Sequence, residues 1–202
     1  LNNKNLNKID LKKINTINVK GLGEKKNNEL IYDLNFLKIR KIFFIKKSEI
    51  TKIINSYNLI EEYSVFKIYP STLDIQIKKT KFLAQLKKKN GNFLLGSNGK
   101  LIKTVEFKQG IPFIFGDFEN EKFFSLKEMI DQTNFEYSQI KNLFFFKSGR
   151  WDIETNDGLI IKLPEDKVYL SLKMLINFLG QNSEKKIKEI DLRQDNQIII
   201  NE

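Results

Sequence analysis

YPSTLDIQIKKTKFLAQL, residues 69–86, opens on a proline, alternates apolar and polar side chains, passes three lysines and turns apolar again. Leu73, Ile75 and Ile77 stand two apart, so they share one face of a strand. Pro70 has no amide to give to a ladder, which puts it at the entrance of that strand. Only Thr80 and Lys81 separate the strand from the apolar run Phe82–Leu86. The strand therefore runs almost directly into a second apolar stretch, and the question is what joins there.

Upstream of the joint, YSVFKIYP reads as a strand that pairs back through Pro70-Ser71. Before it, KKSEITKIINSYNLI spaces Ile50, Ile53, Ile54 and Tyr57 along one helical face, with Ser48 as the expected cap. EKKNNELIYDLNFLKI does the same with Leu30, Ile31, Leu34 and Leu37. INTINVKG places Ile14, Ile17 and Val19 in a short β-branched run closed by Gly21. The predicted order is β-α-α-β-β over residues 14–80, a three-stranded sheet with two helices on one face. Residues 1–13 are polar and basic with isolated leucines, and read as a linker.

Downstream, residues 81–202 change texture. GNFLLGSNGKLI, WDIETNDGLIIKLP and EIDLRQDNQIII are short strands, two of them holding the tight-turn pairs Asn98-Gly99 and Asp157-Gly158. Two helices interrupt them. SLKEMIDQTNF carries a Ser125-x-x-Glu128 capping box, and DKVYLSLKMLINFL has Val168, Leu172, Leu175 and Leu179 on one stripe. The predicted fold class is α+β, with a second domain that is mostly antiparallel sheet flanked by helices.

Composition narrows the chemistry. The 202 residues contain no histidine and no cysteine, which removes the usual zinc ligands, the usual general base and the thiol nucleophile. GLGEKKN lacks the third glycine of a dinucleotide fingerprint and the Lys-Ser/Thr of a phosphate loop. Asp152 and Glu154 share a strand face and imitate a paired-carboxylate site with nothing to support it. The reading is therefore of a non-enzyme with no catalytic residue, cofactor, metal or small-molecule substrate. Net charge is +10, but residues 1–90 carry 20 Lys+Arg against 8 Asp+Glu, and residues 91–202 carry 15 against 17. Part of the lysine excess accompanies a general richness in Asn, Ile and Phe. The cluster Lys78, Lys79, Lys81, Lys87, Lys88 and Lys89 lacks the interleaved aromatics of a nucleic-acid surface, and an anionic membrane nearby explains it better. No apolar run reaches the ~18 residues of a membrane span.

Seven stretches taken in order resemble one family: INVKG, YPSTLDIQI, FLAQL, GNFLLGSNGKLI, IPFIFGD, SGRWDIETNDGLIIKL and IDLRQDN. Over residues 14–202 the chain is similar to the FtsQ/DivIB family of bacterial division proteins, a polypeptide-transport-associated (POTRA) domain followed by a β domain. The resemblance implies a divisome scaffold on the periplasmic side of the inner membrane at the division septum. It would bind FtsB-like and FtsL-like partners and other divisome components, and help localise and regulate septal peptidoglycan synthesis. It also implies a single membrane helix upstream of Leu1. The family departs from this chain in having an acidic residue at the place of Lys79, a proline near Phe82, a tyrosine at Gln194 and an aromatic near Glu202. The other readings are a POTRA-bearing module of outer-membrane assembly or secretion, and a basic nucleic-acid-binding protein.

Within that resemblance the expected partner site is the C-terminal tail. Ile198, Ile199 and Ile200 are consecutive β-branched residues suited to an edge strand, whose unpaired amides and carbonyls accept a partner strand. Arg193, Gln194, Asn196 and Gln197 would line the approach, and Arg150 would offer a forked guanidinium to a carboxylate. Completing the core is the competing role for the three isoleucines. Lys67, where the family has a basic residue tied to divisome contacts, is a further candidate, against a plain solvated lysine at a strand edge. Trp151, beginning a strand, reads as core packing.

Overall fold

The computed structural model describes residues 12–182 and 187–201. Apart from Lys12 and Lys13, the expected basic linker lies outside the described residues. The chain forms two compact units: the first contains residues 12–81 and Gly96–Ile102, the second Phe82–Leu95 and the residues from Lys103 onward.

In the first unit the order is β1 (Thr16–Lys20), α1 (Glu24–Asp33), α2 (Lys47–Ile54), β2 (Ile60–Ile68) and β3 (Thr72–Lys79). β3 is central, parallel to β1 and antiparallel to β2, so the sheet order is β1-β3-β2. Alternation does what the sequence demanded: Leu73, Ile75 and Ile77 are buried, with Ile17 and Val19 of β1. Leu30, Leu34, Leu37, Ile50 and Ile54 close the core from the helical side. Each such side chain taken out of water contributes roughly 1.5–3 kcal/mol before chain entropy is set against it.

Two local expectations fail here. The stripe Leu30–Leu37 is not one helix, because α1 ends at Asp33 and the chain continues as a 3-10 turn over Asn35–Ile39, which still points Leu37 inward. Ser48 does not cap α2. The helix starts at Lys47 after Lys46, whose amide donates to the Glu49 carboxylate at 3.0 Å.

The second sheet has nine strands in the order β12-β11-β10-β9-β8-β7-β4-β5-β6. Its members are β4 (Phe82–Lys88), β5 (Gly91–Gly96), β6 (Leu101–Thr104), β7 (Phe113–Phe115), β8 (Ile140–Phe145), β9 (Trp151–Thr155), β10 (Ile160–Lys162), β11 (Glu189–Asp191) and β12 (Ile199–Asn201). The sheet is mostly antiparallel, with parallel pairings of β4 to β7, β7 to β8 and β10 to β11. Directly paired residues make a continuous row across it: Ile114, Leu143, Ile153, Ile161, Ile190 and Ile200. The first five are buried. Cover comes from α3 (Asn120–Asp131), which buries Phe123, Leu126 and Ile130, and α4 (Val168–Gln181), which buries Val168, Leu172 and Leu175. Helix α3 begins five residues before Ser125, so that serine is interior and the predicted capping box does not form. Trp151 is buried against Phe145 and Phe118, as a core residue should be.

The tip of the β5–β6 hairpin belongs with the first unit. Gly99, at a φ of 75°, makes the tight turn there. Asn98 Nδ2 donates to the carbonyls of Asn58 at 2.9 Å and Ile60 at 2.8 Å, and Asn58 Nδ2 donates to Leu101 O at 2.9 Å. A boundary drawn once, after residue 80, does not include this return.

Candidate partner-binding edge

β12 is the end of the nine-stranded sheet. Its register with β11 is Glu189 to Asn201, Ile190 to Ile200 and Asp191 to Ile199, so one long side of β12 is paired and, among the described residues, no strand pairs with the other. A strand so placed offers main-chain donors and acceptors to an incoming chain. Side chains alternate across it. Ile200 ends the buried row and is half-buried; Ile199 points to the opposite face and is 47% exposed. Ile198 precedes the strand and is half-buried. The three isoleucines therefore divide between core and surface.

On the face away from the buried row, register aligns Phe115, Phe144, Asp152, Lys162, Asp191 and Ile199. The aromatic end stacks, Phe115 on Phe144 with centroids 5.2 Å apart. The other end is ionic. Lys162 Nζ stands 2.6 Å from Glu189, and Arg193 Nε lies 2.9 and 3.0 Å from the two oxygens of Asp191. Those hydrogen bonds from Arg193 hold the Asp191 carboxyl below the usual carboxylate range. Asp152 is buried, and burial pushes its carboxyl up despite the opposing pull of Arg150. Arg150 Nε and Asp152 Oδ1 are 3.5 Å apart, an ion pair too long and misaligned to be a hydrogen bond, and neither atom has another partner.

The segment between β11 and β12 turns sharply. Gln197 N donates to Gln194 O at 3.2 Å, Asn196 takes a left-handed φ of 59°, and Lys167 Nζ meets Asp195 at 2.5 Å. Asn is among the few residues that tolerate that conformation. Arg193, Gln194, Asn196 and Gln197 are all exposed beside the edge. Arg150 is not beside it. It stands immediately before β9, three strands from β12, or roughly 14 Å at the usual strand spacing. There its guanidinium sits 4.2 Å from the Phe146 ring.

Lys67 lies in the first unit, on the core side of β2, and donates to the carbonyls of Phe43 at 3.1 Å and Ile45 at 2.8 Å. It is neither a free strand-edge lysine nor close in sequence to the tail. Glu154 is occupied by Lys141 and Asn142 at 2.8 and 2.7 Å, so it makes no working pair with Asp152. Among the described residues no cluster of three or more acidic side chains is placed to hold a metal ion. Sequence reasoning passed over Lys162 and Glu189; their signal was the polar half of the alternation in LIIKLP and KEIDL.

A β-α-α-β-β unit leading into a large mostly antiparallel sheet with flanking helices defines a POTRA-bearing two-part α+β protein. Residues 12–79 match the FtsQ-type POTRA domain, and residues 84–193 match the C-terminal part of cell division protein FtsQ/DivIB. The chain belongs to the FtsQ/DivIB family of cell division proteins. It is 21% identical over 192 residues to the cell division protein FtsQ of Rhizobium meliloti (strain 1021), covering 93% of this chain and 62% of that protein. It is 26% identical over 172 residues to FtsQ of Rickettsia prowazekii (strain Madrid E), covering 83% and 64%. The chain thus spans a little under two thirds of the length of these relatives. A solved structure of the major extracytoplasmic domain of the division protein DivIB from Geobacillus stearothermophilus aligns with 52% of this chain and 98% of its own, at 13% identity and a TM-score of 0.36. Arg150 and Arg193 fall within the matched span; Gln194 to Ile200 lie beyond it.

Proposed function

We propose that this chain is a non-enzymatic divisome scaffold, and that it takes a strand of an FtsB-like or FtsL-like partner onto the free edge of β12. In this reading residues 14–80 are the POTRA domain, 81–202 the partner-binding β domain, and 1–13 a basic linker to a membrane helix. The chain stands on the periplasmic side of the inner membrane at the septum, where it helps localise and regulate peptidoglycan synthesis. The observation that carries the proposal is the place of β12 at the end of the sheet, with Ile199 half exposed beside a ladder that, among the described residues, has no strand on its outer side.

The residues divide the work by chemistry. Main-chain groups of Ile198, Ile199 and Ile200 supply the ladder, while Ile199 adds apolar area on the open face. Gln194, Asn196 and Gln197 offer amides to whatever flanks the added strand. Arg193 and Arg150 present cations along the open face, each already engaged with an aspartate. Lys67 contacts a partner only at the cost of its two carbonyl bonds, so it is the weakest member of the set.

Cysteine cross-linking tests this directly, because the chain has no cysteine of its own. Ile199→Cys is combined with single cysteines walked along the periplasmic segment of the same organism's FtsB-like protein. Strand addition gives cross-links that rise and fall with a period of two residues. A period of three to four, the mark of a helix, or a flat profile contradicts it.

A further inference from the structure

One end of the first unit gathers three stretches of chain. Ile42 N donates to Lys12 O at 3.1 Å, Ile14 N to Arg40 O at 3.0 Å, and Asn15 N to Ser71 O at 2.9 Å. Lys67 ties the same turn to the end of β2 through the carbonyls of Phe43 and Ile45. The side chains left outside these bonds are of two kinds. Phe43, Phe44, Ile68 and Tyr69 are all more than half exposed, and the two phenylalanines meet edge to face at 5.5 Å. Among them in sequence stand the exposed residues Lys41, Lys46 and Lys47, the last with its Nζ 5.8 Å from the centre of the Tyr63 ring, and Lys12 and Lys13 lie beside Lys41 through a β-bridge. Among the described residues, the acids nearest this end are engaged elsewhere: Glu49 by Arg40 and the Lys46 amide, and Asp74, buried opposite Phe66, by Gln76.

Large apolar side chains standing clear of a surface mark an interaction site. Ringed by lysines, they fit one kind of partner best. At a bilayer surface aromatic rings settle at headgroup level, and long amines reach acidic headgroups while their stems stay in apolar surroundings. We propose that this end of the first unit rests on an anionic lipid bilayer, with Phe43, Phe44 and Tyr69 at the headgroup boundary and Lys41, Lys46 and Lys47 against acidic headgroups. The contact involves only the first unit and is independent of the strand-edge reading.

The test is co-sedimentation of residues 1–202 with vesicles of phosphatidylcholine alone, and with about a third of it replaced by phosphatidylglycerol. Binding to the anionic vesicles only, weakening with salt, is the expected result. Each cation at such a surface changes partitioning about fivefold, so Lys41→Gln, Lys46→Gln and Lys47→Gln together should weaken binding about a hundredfold. Phe43→Ser with Phe44→Ser should weaken it about tenfold. Lys87→Gln, Lys88→Gln and Lys89→Gln, equally exposed in β4 and the turn after it, should leave most of it. All these positions are at the surface, and circular dichroism checks the fold of each variant. No binding, equal binding to neutral vesicles, unchanged binding by the patch variants, or an equal loss in the β4 comparator each overturns the proposal. Absence of vesicle binding together with patch-dependent capture of an acidic protein would assign the surface to that protein instead.

Discussion

The Arg193 guanidinium embraces the Asp191 carboxylate, and the Arg193 amide donates to the same carboxylate at 3.0 Å. One aspartate thus fixes both the main chain and the side chain of Arg193, the second residue after the end of β11. Because the folded state depresses the Asp191 pKa, the stabilisation is present above the ordinary carboxylate range and is lost as pH falls through the folded value. Arg193→Ala should raise the Asp191 pKa toward its ordinary value, read by NMR titration. With Arg193 substantially exposed, the stability change at neutral pH should stay within about 1 kcal/mol.

Arg150 and Asp152 behave in the opposite sense. Burial raises the Asp152 pKa, so its ionisation costs stability, and that cost sets in as pH rises above the unfolded value through the folded one. Arg150→Met removes the nearest cation and leaves a buried carboxylate uncompensated. The expected loss is about 3 kcal/mol at pH 8 and clearly less at pH 4, measured by denaturant unfolding. An equal loss at both pH values would show that Arg150 acts through packing on Phe146 instead. Any partner-binding assay of this variant therefore needs the fold checked at the same pH.

Asn98 fixes the hairpin tip to the first unit with two donated bonds to main-chain carbonyls. Asn98→Ala leaves both carbonyls without that donor and should cost about 1–3 kcal/mol. Hydrogen exchange should quicken at Gly96–Ile102 first. A uniform change across both units would contradict the assignment of this tip to the first.

The close approach at Gly21 gives a sharper stability test. Its φ is 118°, and a Cβ there would stand 1.9 Å from the Ile77 carbonyl oxygen, which belongs to β3 and cannot yield cheaply. Gly21→Ala should destabilise the first unit by about 3 kcal/mol or more. Gly110→Ala, also at positive φ but facing open space, should cost only about 1 kcal/mol.

The β-α-α-β-β order was legible because Leu73, Ile75 and Ile77 keep a strict period of two, and Ile50, Ile54 and Leu30, Leu34 a period near 3.6, all on buried faces. Helix starts were not. Ser48 and Ser125 carry the right chemistry for caps, but Phe123 is drawn into the core and extends α3 past Ser125 toward its N-terminus, while the Glu49 carboxylate satisfies the amide at the start of α2. Edge strand β12 could be anticipated from three consecutive isoleucines. Its relation to Arg150 could not, since placing β9 three strands away depends on β11 pairing in parallel with β10 across the whole of α4. Lys67 looked like any surface lysine; only the fold shows the two carbonyls that it serves.

If the tail from Arg193 onward forms the partner-binding edge, its removal abolishes binding, and calorimetric titration measures this. Residues 1–202, and a version ending at Leu192, are each titrated with the periplasmic segment of the same organism's FtsB-like protein. Circular dichroism confirms that both are folded. Saturable heat is expected for the full chain and none for the shortened one. Equal binding by both, or none by either, would contradict it.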